Sequence, residues 1–99
     1  MPPRRHAPDI LPPRTTRLTV ILRSLDHRVV DQTASRLTVH CERLGGVVEG
    51  PMPLPSRPSD VEGMRWHVRT LDLVDPAPAL LGSLRGFDLP NGVRIEMRA

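Results

Sequence analysis

Apolar positions recur with two different periods along the chain, and the change of period marks its elements. In Arg17-Leu-Thr-Val-Ile-Leu-Arg23, Leu18, Val20 and Leu22 alternate with Arg17, Thr19, Ile21 and Arg23. A period of two predicts a strand. From about His27 to Leu44 the period lengthens. Val30, Ala34, Leu37, Cys41 and Leu44 fall four or three apart, the stripe of an amphipathic helix. Asp26 or Ser24 can cap its first turn, and Gly45-Gly46 supplies a left-handed end. Val47-Val48-Glu49 begins a second strand, which runs into Gly50-Pro-Met-Pro-Leu-Pro-Ser-Arg-Pro58. Proline fixes φ, has no amide proton to donate and pushes its predecessor into extended backbone. The stretch is therefore extended and stiff, and belongs at a sheet edge rather than its centre. Pro58-Ser-Asp-Val-Glu-Gly63 reads as a short turn, and Met64 to Val74 as a third strand.

In that third strand Arg65, His67 and Arg69 share one face, with Trp66 and Val68 on the other. The alternation is lost at Leu71-Asp72-Leu73-Val74, which predicts a bulge or a register change there. Asp75-Pro76 starts a second helix, with aspartate as cap and proline at the first position. Leu80, Leu81 and Leu84 form its buried side, and Gly86 ends it. Val93, Ile95 and Met97 alternate with Arg94, Glu96 and Arg98 in a last strand, entered through Pro90-Asn91-Gly92. The order β-α-β-β-α-β predicts an α+β, ferredoxin-like fold, with a four-stranded antiparallel sheet and two helices on one face.

Composition refines this picture. A chain of 99 residues makes one small domain, assigned to residues 17–99. Residues 1–16 hold five of the 12 prolines and read as a flexible Pro/Arg-rich arm. One Trp, one Phe and no Tyr leave the core aliphatic. The net charge of +3 is carried by 14 arginines and no lysine, so the cationic groups are all planar donors suited to phosphate and carboxylate. Residues 17–99 hold eleven arginines against ten acids, so location matters more than total charge.

If the helices cover the Leu18/Val20/Leu22 and Val93/Ile95/Met97 side, the other sheet face is open. It then carries Arg17, Arg23, Arg65, Arg69, Arg94, Arg98 and His67, with Glu96 its only acid. Such a patch binds phosphate by charge and position. An RNA-recognition motif is not expected, because the central strands offer Arg, His, Thr and Ile where that motif stacks bases on aromatics.

Nothing in the pattern points to catalysis. The lone Cys41 lies within the apolar stripe and implies no disulfide framework. His6, His27, His40 and His67 lack metal-ligand spacing, and no Cys-x-x-Cys occurs. A Ser24/His27/Asp31 set rests on helical spacing alone. No cofactor is expected. No apolar run approaches a membrane span, and the first residues lack the apolar core of a signal peptide.

Three motifs resemble a known family, that of small-subunit ribosomal protein S-ten, bacterial or organellar type. Leu25-Asp-His-Arg-Val-Val-Asp-Gln32 resembles the family's Phe-Asp-His-Arg-(apolar)-(apolar)-Asp-Gln opening of the first helix. Gly50-Pro-Met-Pro-Leu-Pro-Ser-Arg57 is similar to its Gly-Pro-(apolar)-Pro-Leu-Pro-Thr-Arg signature. Arg65-Trp-His-Val-Arg69, followed by Leu73-Val-Asp-Pro76, is similar to its third strand and the start of its second helix.

The resemblance covers about residues 17–98. It implies a structural constituent of the small ribosomal subunit, in a bacterial cytoplasm rather than an organelle, that binds ribosomal RNA and neighbouring head proteins. The family's bacterial members also serve in transcription antitermination, with a Nus-type helical partner and RNA polymerase. The chain departs from the family at one place. Typical members carry a long ribosome-docking loop between the proline signature and the Arg-x-His strand, and here only Pro58–Gly63 stands there. A loop-truncated adaptor for antitermination is the alternative. Arg57, Arg65, His67 and Arg69 are the expected RNA contacts, with His27 and Arg28 at a helix start that favours phosphate, and Arg17 and Arg23 on the open face.

Overall fold

The computed structural model describes residues 16–99, so the predicted arm, apart from Thr16, lies outside the described residues. Its elements are β1 (Arg17–Ser24), α1 (His27–Arg43), β2 (Val47–Pro58), β3 (Arg65–Val74), α2 (Pro78–Leu84) and β4 (Arg94–Arg98). The four strands form one sheet in the order β2-β3-β1-β4, all pairs antiparallel. This is the expected ferredoxin-like α+β architecture. No described helix is long and apolar enough to cross a membrane.

The core forms where the helical stripe meets the alternating strand residues. Val30, Ala34, Leu37 and Cys41 of α1 are fully buried against Val20, Leu22, Leu71 and Leu73 of the sheet, with Leu80, Leu84 and Val93 closing the far side. Thr33 joins the buried side of α1 because its hydroxyl donates to the Val29 carbonyl one turn back, at 2.8 Å. Asp26 caps the helix by accepting from the Arg28 amide at 2.9 Å. The stripe ends about one turn earlier than its period implies, at Cys41, since Leu44 is 51% exposed. Leu44 is the C-cap, and beyond it Gly45 turns the chain left-handed at φ +80°. The Gly45 and Gly46 amides donate back to Glu42 and Cys41, and a Cβ on Gly46 would stand 2.9 Å from the Cys41 oxygen.

The second helix starts later than its sequence suggests. Asp75 does not cap it. Its backbone is left-handed at φ 46°, and its carboxylate accepts from the Thr16 amide at 2.7 Å and the Thr16 hydroxyl at 3.1 Å. The chain at the foot of β1 is thereby tied to the end of β3. Pro78 stands in the first turn of α2 and Ala77 is a cap without a side-chain bond. Leu80 and Leu84 are buried, but Leu81 is 39% exposed because a two-turn helix buries only one edge.

Two bulges lie in β2 rather than in β3. β1 and β3 pair without a break from Arg17↔Val74 to Ser24↔His67. In β2, Gly50-Pro51 stand opposite Leu71 alone, and Pro55-Ser56 opposite His67 alone. Gly50 has φ +107°, and a Cβ there would meet the Thr70 oxygen at 2.8 Å. Each bulge reverses which residues of β2 point to which side. Val47, Glu49, Met52, Leu54 and Arg57 therefore all face away from the helices.

Replacement of Leu37, fully buried, by Ala is expected to cost about 2–5 kcal/mol of unfolding free energy. The same change at Leu44, predicted from sequence to be equivalent, should cost no more than about 0.5 kcal/mol. Urea melts of the two variants check this.

Candidate nucleic-acid interface

Register decides which charges share a face. Leu22 pairs with Arg69, and Ser24 with His67, so Arg65, His67 and Arg69 lie on the side that carries the helices. This corrects their expected place on the open face. The signal was present in the sequence: Leu71 and Leu73 are core residues with the same parity as positions 65, 67 and 69. Counting back from them puts Trp66 and Val68 on the open face. The alternation never broke; it was masked by three charged or polar residues where β3 extends past the core.

On the helix side these residues bind one another. Arg69 donates from Nε to Asp31 Oδ1 at 2.5 Å and from Nη2 to Oδ2 at 3.4 Å, and Nη1 donates to the Val68 carbonyl at 2.9 Å. Its side chain is only 16% exposed. Arg65 donates from Nε to the Ser56 hydroxyl and from Nη2 to the Ser56 carbonyl, both at 2.9 Å. Ser56 sits in the second bulge, so Arg65 holds that irregularity in place. The His27 and His67 rings meet edge-on with centroids 5.6 Å apart. Arg28 is exposed at the start of α1 and makes no ion pair among the described residues. The structure thus gathers His27, Arg28, Arg65, His67 and Arg69 near one end, with Arg65 and Arg69 already engaged.

The open face divides in two. Towards the foot of β1, Arg17 pairs with Glu49 and lies 3.8 Å from Asp72, while Thr19 donates to Asp72 at 2.8 Å. The Glu49 carboxylate holds the Arg17 guanidinium above its ordinary value. Arg98 pairs with Glu96 at 2.8 Å. Glu49 and Asp72 are open-face acids that the sequence reading had not placed there. Towards the other end, Arg23, Arg57 and Arg94 have no carboxylate partner among the described residues. They surround Trp66. The Arg23 guanidinium carbon is 5.0 Å from the ring centroid, that of Arg94 is 5.5 Å away, and Arg57 is the register partner of Trp66 on β2.

Of the expected open-face cations, Arg23 and Arg94 remain unpaired, Arg17 and Arg98 are neutralised, and Arg57 joins through the bulge. Trp66 is the residue that sequence reasoning missed. The free guanidiniums can take phosphate or carboxylate oxygens in bidentate fashion. No group of three or more His, Cys, Asp or Glu side chains arranged to hold a metal occurs among the described residues. No protein-family model matches the chain.

Two outcomes test this division of charge. A double-mutant cycle on Asp31→Asn and Arg69→Gln should give a coupling of about 0.5–1.5 kcal/mol, because Arg69 is mostly covered and bidentate. The same cycle on Glu96 and Arg98, both well exposed, should give less than about 0.5 kcal/mol. Burial pushes the Cys41 thiol above its ordinary 9.0, with Glu42 adding to the effect. The raised value favours the protonated form in the fold, so its contribution to stability is full below pH 9 and lost as pH rises past it. Cys41 should resist an aromatic disulfide reagent at pH 8 until urea unfolds the chain.

Proposed function

We propose that the protein is a non-catalytic component of the small ribosomal subunit, of the S-ten type. It contacts ribosomal RNA and neighbouring head proteins, and works in the bacterial cytoplasm. One observation carries the reading. The three motifs that resemble that family are separate in sequence, yet they interlock by side-chain contacts in the fold. Asp31 of the first holds Arg69 of the third, and His27 meets His67. Ser56 of the second accepts twice from Arg65 of the third. A shared pattern that also explains its own members by direct contact is a stronger resemblance than three separate strings. The adjacent Arg23, Arg57 and Arg94 supply the unpaired positive charge that an RNA backbone needs.

A second reading is favoured by the tip of the β2–β3 hairpin. The six residues Ser59–Met64 close on themselves. The Ser59 amide donates to the Met64 carbonyl at 3.4 Å and the Ser59 hydroxyl to the same oxygen at 2.8 Å. The Met64 amide donates to Val61 at 3.1 Å. A tip so tied has no long reach of the kind the family uses to dock in the subunit head. The alternative is an adaptor in transcription antitermination, paired with a Nus-type partner and RNA polymerase through the globular body.

The tagged chain is expected in purified small subunits at moderate salt, near one copy per particle. Its absence from subunits, with recovery of RNA polymerase and a Nus-type protein in the same pull-down, would transfer the assignment to the adaptor.

A further inference from the structure

Beside Trp66, at the end of the sheet, lies a cleft of about 430 Å³. Trp66 forms one wall, and Leu25, Val29 and Met64 give it an apolar lining. Asn91 and Arg94 stand at its polar edge. Asp26, the acid in its lining, already uses Oδ1 to accept from the Arg28 amide. A second depression on the open face, floored by Ile21 and Val68, is lined by Arg23, Arg57 and Arg98, with Glu96 beside Arg98. Trp66 joins the two: Arg94 shares the cleft with it, Arg23 lies over its ring from the depression's side, and Arg57 is its register partner on β2.

We propose that this surface is a single-stranded nucleic-acid site, in which one base enters the cleft against Trp66 and the flanking phosphates lie on Arg94, Arg23 and Arg57. The two halves of the surface match the two halves of a nucleotide. An aromatic wall gains from any base, because every base has a π face. Unpaired guanidiniums gain from phosphate and are oriented by the ring beneath them. An acidic peptide would satisfy the arginines and leave the apolar cleft empty, so charge alone does not select it. A duplex keeps its bases stacked and cannot fill the cleft. The site deepens the RNA-binding part of the proposed function and rests on it, but adds a base-stacking residue that an electrostatic patch does not require.

Trp66 is the only tryptophan and the chain has no tyrosine, so intrinsic emission reports on this site alone. The full chain is titrated with a single-stranded RNA octanucleotide, its DNA counterpart, and polyglutamate of equal charge, with anisotropy of the labelled oligonucleotides read in parallel. Saturable quenching by the oligonucleotides is expected. The relative affinity of the RNA and DNA arms identifies which chain the site prefers. Trp66→Leu should weaken binding about tenfold. Arg23→Gln with Arg94→Gln should flatten the slope of log K against log salt by about 1.4, the contribution of two phosphates.

Arg57→Gln, on an exposed edge strand, tests the same surface should the Trp66 variant fold poorly. Polyglutamate binding as tightly as RNA, or unchanged affinity in the Trp66 and Arg57 variants, would overturn the site in favour of an acidic protein surface. Because the free chain is titrated, oligonucleotide binding without ribosome occupancy leaves the site standing. Occupancy without oligonucleotide binding removes it.

Discussion

The pairing of β2 with β3 is the constraint on which the rest of the molecule depends. β2 carries Pro51, Pro53, Pro55 and Pro58, none of which can donate to a ladder. A strand so built survives only at an edge, with one neighbour, and the order β2-β3-β1-β4 gives it that place. Pro51 and Pro55 each fall within a bulge, where two residues oppose one and a ladder donor is not required. The bulges also have a directional effect. Without them strict alternation would send Met52 and Leu54 to the side opposite Glu49. With both, Glu49, Met52, Leu54 and Arg57 look the same way. The proline signature is thus a device for aiming side chains, and Arg57 stands on the same face as its register partner Trp66 because of it.

Ion pairing then determines which part of the open face can recruit a partner. Exposed ion pairs are screened by water and contribute little to stability, so Arg17–Glu49 and Arg98–Glu96 do little for the fold. They do remove two cations from the competition for phosphate. What remains is a group at one end, Arg23, Arg57 and Arg94, of which Arg23 and Arg94 lie over the Trp66 ring. Net charge says little about such a domain, because it counts paired and unpaired charges alike, and Arg23, Arg57 and Arg94 pair with no carboxylate among the described residues. Arg69 follows a different logic. It is mostly covered and bidentate to Asp31, so its role is to fasten β3 to α1.

The fold was legible because it depends on periodicity. The period of two in β1 and β4, the helical stripe of α1 and the glycine stop at Gly45-Gly46 each rest on local chemistry that a string of residues carries in full. What was not legible depends on register. Arg65, His67 and Arg69 look like an exposed face by polarity. Only their parity with Leu71 and Leu73 places them beneath the helices, and polarity is the louder signal. Bulges in β2 defeat alternation altogether, so Arg57 could not be set beside Trp66 from sequence. Asp75-Pro76 has the chemistry of a helix start, but Thr16 offered its carboxylate two donors that no local rule could foresee. Leu81 and Leu44 failed for a simpler reason: short or ending helices bury fewer positions than their pattern allows.

The magnitude of the proposed open-face interaction bears on how the protein would be used. Sequence-independent contact with a nucleic-acid backbone gives dissociation constants of roughly 10⁻⁴–10⁻⁶ M at physiological salt. One stacked base adds about 1–3 kcal/mol, or one to two orders of magnitude. Three arginines and one tryptophan would therefore make, in the proposed site, a contact of moderate strength that salt readily weakens, too weak to hold an assembly alone. Stable residence requires further surface, and the exposed apolar positions Val47, Met52 and Leu54 on the same side of the sheet are where protein neighbours would add it. The proposed nucleic-acid contact at the Trp66 end and the proposed protein contacts along β2 would share one face of the sheet. The two proposed functions differ in which neighbours occupy that face, not in the chemistry by which it binds.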